Sequence, residues 1–130
     1  MEHVQAKAQS IAVVDDDEDV RKAVHGVLKS AELLPRSFAS AEEFLGFGRR
    51  SETACLITDV EMPGMNGFEL QARLAEDGWR IPIIFITAYG DAGTRMRAMN
   101  AGALDFLEKP FDDDVLLERV AAALNGGNRA

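Results

Sequence analysis

The sequence predicts an α/β domain: a doubly wound sheet of five parallel strands with five helices on its two faces. Three observations predict it. Short, almost wholly apolar runs recur along the chain, amphipathic helical stretches fill the gaps between them, and the two alternate without an internal repeat or low-complexity block.

The first run, Ile11-Ala-Val-Val14, has the unbroken apolar character of a strand buried on both faces. Val20, Ala23, Val24, Val27, Leu28 and Ala31 then follow the i, i+3, i+4, i+7 spacing of one buried helix face. Leu33-Leu-Pro-Arg-Ser-Phe38 is a mixed strand, and Pro35, which has no backbone donor, places it at a sheet edge. Ser40 with Glu43 forms a capping box ahead of Phe44 and Leu45, opening a second helix. Cys55-Leu-Ile57 is the third strand, with Cys55 a small core residue. Asn66-Gly67 starts a third helix that carries Leu70 and Leu74 and stops at Gly78, with Trp79 partly packed in the turn beyond. Ile83-Ile-Phe-Ile86 is the fourth strand. Asp91 caps a fourth helix running to Gly102, whose Met96 and Met99 are assigned to the core rather than to an interface. Leu104-Asp-Phe-Leu107 is the second mixed strand, and Asp112 to Asp114 put negative charge at the start of the fifth helix, where the dipole favours it. Residues 1–9 read as a flexible leader, 10–125 as the domain, and 126–130 as a helix stop and tail.

Bulk properties narrow the function. The net charge of −8 opposes nucleic-acid binding by this domain, since phosphates need basic surface to neutralise them. One cysteine cannot form an internal disulfide, so nothing points to an oxidising compartment. No apolar stretch approaches the roughly 20 residues of a membrane span, and Met1 to Ser10 lacks the apolar centre of a signal peptide. A cytoplasmic protein without membrane contact is expected. His3 and His25 have no phosphotransfer context and are read as surface residues.

In a doubly wound sheet the ligand site lies at the carboxyl ends of the strands. There the sequence places Asp15 to Asp19 after the first strand, Asp59 after the third, Thr87 at the end of the fourth and Lys109-Pro110 after the fifth. Each piece alone is unremarkable; a run of acids at a helix start is ordinarily a solvated cap. Together, Asp15, Asp16 and Asp59 bring three negative charges against the single positive charge of Lys109. Like charges that close oppose ionisation unless a cation neutralises them. Magnesium suits a site of few carboxylates, waters and phosphate oxygens, and would let a carboxylate nucleophile meet an anionic phosphoryl group.

Four stretches carry a family resemblance: Val13-Val-Asp-Asp-Asp-Glu18, Leu56-Ile-Thr-Asp-Val-Glu-Met-Pro-Gly-Met-Asn-Gly67, Phe85-Ile-Thr-Ala88 and Asp105-Phe-Leu-Glu-Lys-Pro-Phe111. The chain from about Ser10 to Leu124 resembles the receiver domains of bacterial two-component response regulators. The resemblance implies a flavodoxin-like fold with strand order 2-1-3-4-5 and a non-enzymatic switch that catalyses only its own phosphorylation and dephosphorylation. Asp59 would be the phosphoacceptor. Asp16 would ligate Mg2+ directly and Asp15 through water, with Asp59 and the Glu61 backbone carbonyl completing the protein ligands. Thr87 and Lys109 would sense the phosphoryl group, and Phe106 would rotate inward from the surface on activation. A cis Lys109-Pro110 bond is also implied.

A sensor histidine kinase is the implied phosphoryl donor, and the face of the fourth helix, fifth strand and fifth helix the implied switching surface. Phosphorylation-dependent homodimerisation through that face would match Arg95 and Arg97 with Asp105 and Asp112 to Asp114 of a second copy. The Asp105 to Phe111 run resembles receivers that precede a DNA-binding domain, so transcription regulation through a further output domain is one expected use and a stand-alone regulator the other. Two departures stand out: Asp17 and Asp19 make the first loop unusually acidic, leaving a second cation site open, and Tyr89 is bulky enough to shield the site from water. The same residues admit two alternatives. A haloacid-dehalogenase-type phosphohydrolase would carry a second Asp two residues after its nucleophile, where this chain has Glu61. A pseudo-receiver binding module would lack the Asp16, Asp59, Thr87 and Lys109 set that is intact here.

Overall fold

The structure, a computed structural model, describes residues 9–88 and 90–126. Expectations about residues 1–8 (with His3), Tyr89 and residues 127–130 therefore lie outside the described residues. The elements are β1 (Ser10–Val14), α1 (Glu18–Ser30), β2 (Leu34–Phe38), α2 (Ala41–Leu45), a single 3-10 turn (Arg50–Glu52), β3 (Thr53–Asp59), α3 (Gly67–Glu76), β4 (Ile83–Thr87), α4 (Ala92–Asn100), β5 (Asp105–Glu108) and α5 (Asp113–Gly126). All strand pairs are parallel, as the sequence predicts, and the order is β2-β1-β3-β4-β5, as the resemblance implies.

Alternation along the strands divides the core in two. Ala12, Val14, Leu56 and Phe85 meet Phe44, Leu70, Leu74 and Ala98 of α2, α3 and α4 on one side. Ile11, Val13, Cys55, Ile57, Ile84 and Ile86 meet Val24, Leu28, Leu116 and Val120 of α1 and α5 on the other. Cys55 is fully buried, and burial pushes its thiol up to about 12, which keeps it a protonated core residue. Trp79 is half-buried and stacks on Phe44 with ring centroids 6.1 Å apart.

Several details differ from the sequence expectation. Ala31 is exposed because α1 ends at Ser30 and Ala31 caps it, and Ala23 is exposed on the open rim of a groove between α1 and the loop carrying Pro110 and Phe111. Met96 and Met99 are not core residues: they are 62% and 42% exposed, because Ala98 is the α4 residue turned to the sheet. At about 100° per residue, neighbours one and two positions away point elsewhere. Helix α4 ends at Asn100, and Gly102 turns the chain at φ 97°, a conformation that favours glycine. The Ser40 hydroxyl accepts from Glu43 N–H at 3.0 Å, but Glu43 reaches back to Ala39 N–H rather than to Ser40, so the expected box is displaced by one residue. A complete capping box forms at α3, where Asn66 and Glu69 exchange bonds of 2.8 Å.

That helix start is tied to the end of β3. Gly67 N–H donates to Val60 O at 3.0 Å, and a Cβ on Gly67 would run into the Asp59 carbonyl oxygen and lie 3.1 Å from both Phe85 Cε1 and Val60 Cα. Glycine is needed there for close approach. Gly67→Ala is expected to lower stability by about 1–3 kcal/mol through overpacking; a urea transition unchanged from the parent would contradict this.

Candidate functional site

Parallel pairing brings four strand ends to one edge of the sheet. Asp15 follows β1 and is fully buried; its N–H donates to Phe38 O at 3.1 Å, and its Oδ1 accepts from Asp17 N–H at 2.9 Å. Asp17 in turn caps α1, accepting from Asp19 N–H at 2.9 Å, so at least one acid of the run serves the helix. Asp16, between them, is exposed. Asp59 closes β3 and is 5% exposed; its Oδ1 accepts from Glu61 N–H at 3.1 Å. Thr87 closes β4 and is fully buried, and its carbonyl accepts from Lys109 N–H at 2.7 Å. The Lys109-Pro110 bond is cis.

Lys109 joins these parts. Its Nζ donates to Asp15 Oδ2 at 2.9 Å and to Asp59 Oδ2 at 3.1 Å, spanning two carboxylates from different strands. Burial and the neighbouring Asp15 charge raise the Asp59 pKa, and the hydrogen bonds from Lys109 and Glu61 only partly offset them. For Lys109, burial works against the charged form, but the bonds to Asp15 and Asp59 outweigh it and its pKa rises. Carboxylate oxygens of Asp15, Asp16 and Asp59 all lie within 4.8 Å of one another. Three hard oxygen donors, one of them open to solvent, fit magnesium, which binds through few protein ligands and retains waters.

Thus Asp15, Asp16, Asp59, Thr87 and Lys109 gather at strand ends on one edge of the sheet, with Glu61 in the loop after Asp59. Phe106 lies on β5 and is 3% exposed, so its ring is already inward here rather than on the surface. Three contacts go beyond what the sequence pattern indicates. Lys109 grips Asp15 as well as Asp59. Arg21 donates from Nη1 to the Asp15 carbonyl at 2.8 Å, adding positive charge beside the acidic loop. Arg95 donates from Nη1 to the Phe106 carbonyl at 3.1 Å. Arg21 and Arg95 lie on helices whose periodicity marks only apolar faces, so no pattern in the sequence assigns them these contacts. His25 is partly exposed and lines a shallow surface pocket with Glu18, Arg21, Lys22 and Ser37, to which Asp15, Asp16 and Asp59 do not contribute.

Comparison with known proteins agrees with this geometry. The family model described as response regulator receiver domain matches residues 11–121. The response regulator protein TodT of Pseudomonas putida is 42% identical over 124 residues, covering 95% of this chain and 55% of TodT. The transcriptional regulatory protein FixJ of Rhizobium meliloti is 40% identical over 114 residues, covering 88% of this chain and 56% of FixJ. The chain spans about half the length of the curated relatives it matches. Among solved structures, FixJ-N is similar with a TM-score of 0.83 and 38% identity, covering 92% of this chain and 96% of that one. Among the described residues no helix is long and apolar enough to cross a membrane. From its fold, its strand-end cluster and these likenesses, the chain belongs to the response regulator receiver domain family.

Proposed function

We propose that Asp59 accepts a phosphoryl group from the phosphohistidine of a sensor kinase, and that residues 10–125 form the receiver unit that responds. The observation that supports this most strongly is the Lys109 bridge: one ammonium holds a buried, solvent-shielded Asp59 carboxylate in place beside Asp15. An Asp59 carboxylate oxygen forms the new O–P bond as the donor N–P bond breaks, and the departing imidazole nitrogen keeps the electron pair. Asp15, through water, Asp16, Asp59 and the Glu61 carbonyl would hold Mg2+, which when bound supplies positive charge against the phosphoryl oxygens. The Lys109 ammonium can leave Asp59 for a phosphoryl oxygen, and the Thr87 hydroxyl can donate to another.

The consequence falls on α4, β5 and α5. Among the described residues, Met96, Met99 and Leu104 are the large hydrophobic side chains exposed on or beside α4 and β5. They suit a second copy of the chain or an output domain. Asp105 is already engaged within the chain by Arg119, with Arg95 Nη2 4.0 Å away, and the Arg97 guanidinium lies 4.3 Å from the centre of the Phe68 ring. Dimerisation would therefore rest on the methionines more than on the Arg–Asp exchange expected from sequence. By likeness to transcriptional regulators, the output is transcription, acting in the cytoplasm.

Acetyl phosphate with Mg2+ should add one phosphoryl group to the parent by intact mass. It should add none to Asp59→Asn and none when the metal is chelated. Unchanged labelling of Asp59→Asn would refute the assignment, and no labelling of the parent would favour the pseudo-receiver alternative.

Magnesium should also stabilise the folded chain, by about 2.7 kcal/mol at a hundredfold excess over its dissociation constant. Asp16→Asn changes an exposed side chain, so it should fold normally and lose most of that increment. An equal rise in Tm for parent and Asp16→Asn would exclude Asp16 as a ligand.

A further inference from the structure

We infer that Arg95 is a positioning residue for Phe106: its guanidinium latches the ring in the inward position, and Gly90 leaves the space the ring occupies. The functional meaning of the latch rests on reading Phe106 as the switch aromatic. Four observations carry the inference: the burial of Phe106, the double contact of Arg95, the anchoring of Asp105 and the space at Gly90. Phe106 is buried although β5 is an edge strand. From α4, Arg95 donates from Nη1 to the Phe106 carbonyl at 3.1 Å while its guanidinium carbon lies over the ring, 5.8 Å from the centroid. One side chain thus touches both the backbone and the ring of the same residue. Asp105, the preceding residue, accepts from Phe106 N–H at 2.7 Å through the oxygen that lies 4.0 Å from Arg95 Nη2, and its other oxygen pairs with Arg119 of α5. At the ring edge, a Cβ on Gly90 would come within 3.1 Å of Phe106 Cε1 and 3.2 Å of the Glu108 side chain.

These contacts have a directional effect. The carbonyl bond and Asp105 fix where the guanidinium sits, and stacking then favours the ring rotamer that lies against it. The planar fork of arginine can serve carbonyl, carboxylate and ring together, which a lysine ammonium cannot. The Arg95 side chain is 58% exposed, so removing it leaves no core cavity and acts on the ring's position rather than on packing. Because Arg95 belongs to α4 and Asp105 and Phe106 to β5, the latch also couples that helix to that strand. Outward movement of the ring would break the stacking contact.

The test is aromatic NMR on the full 130-residue chain without phosphoryl donor, following cross-peaks between the Phe106 ring protons and Gly90 Hα. The parent should show them strongly. Arg95→Ala should shift the inward-to-outward ratio about tenfold toward outward, equivalent to about 1.4 kcal/mol, and weaken them accordingly. Arg95→Lys, which keeps charge but not the fork, should fall between the two. Arg97→Ala, which removes the guanidinium over Phe68 instead, should match the parent. Cross-peaks in Arg95→Ala as strong as in the parent would overturn the latch, as would equal weakening in Arg97→Ala. Acetyl-phosphate labelling of the same samples separates the two ideas: labelling with unchanged cross-peaks rejects the latch alone, and an unlabelled parent rejects the phosphoacceptor reading, while the cross-peaks still decide the latch.

Discussion

The site depends on one ammonium group shared between two buried carboxylates. Asp15 and Asp59 end neighbouring strands, so the register of β1 with β3 that buries Val13 against Ile57 also sets their carboxylates side by side. Two such charges in a water-poor cleft oppose each other's ionisation, which raises the Asp59 pKa. Lys109 offsets that repulsion from two strands away, beyond β4, and its backbone bond to the Thr87 carbonyl fixes the turn from which the side chain reaches across. Three sheet positions are thereby linked by one flexible cation. The phosphoryl group proposed for Asp59 would change what that cation faces, so the contact that stabilises the site in this structure is the one a new charge would redirect.

The scaffold around this contact carries the cost of assembling it. The almost wholly buried strands β1, β3 and β4 supply two core layers, and the strand ends emerge from them with little freedom. Gly67 lets α3 begin against the Asp59 backbone, and Arg21 holds the Asp15 carbonyl from α1. Away from this rigid edge, α4 is the least embedded of the longer helices: Ala98 is its one buried residue. A helix held by one buried alanine, a capping Asp91 and arginine contacts to β5 and Phe68 can be re-seated at small cost, which would suit the switching role proposed for that face.

The fold was legible because each central strand is apolar on both faces and Pro35 marks an edge. The gathering of Asp15, Asp16, Asp59, Thr87 and Lys109 was legible because strand ends in a doubly wound sheet converge whatever the side chains do between them. What the sequence hid depends on side-chain reach. That Lys109 touches Asp15 depends on a 94-residue separation being closed in space, and that Arg95 lies over Phe106 depends on the turn of α4 relative to β5. Met96 and Met99 misled because their i, i+3 spacing matches a buried stripe, while the sheet-facing position is taken by the small Ala98 instead. Phe106 was expected at the surface, and its burial reflects space at Gly90, a feature that a residue-type pattern does not reveal.

The most direct measurement of the central claim is the urea unfolding of Lys109→Met with and without saturating Mg2+. If the ammonium is what makes the paired carboxylates tolerable, its removal leaves them uncompensated and should cost roughly 3 kcal/mol without metal. Mg2+ should then restore more stability to the variant than it adds to the parent, because the metal would take over the neutralising role. A metal-free Lys109→Met as stable as the parent would contradict the account, as would a magnesium increment no larger than the parent's.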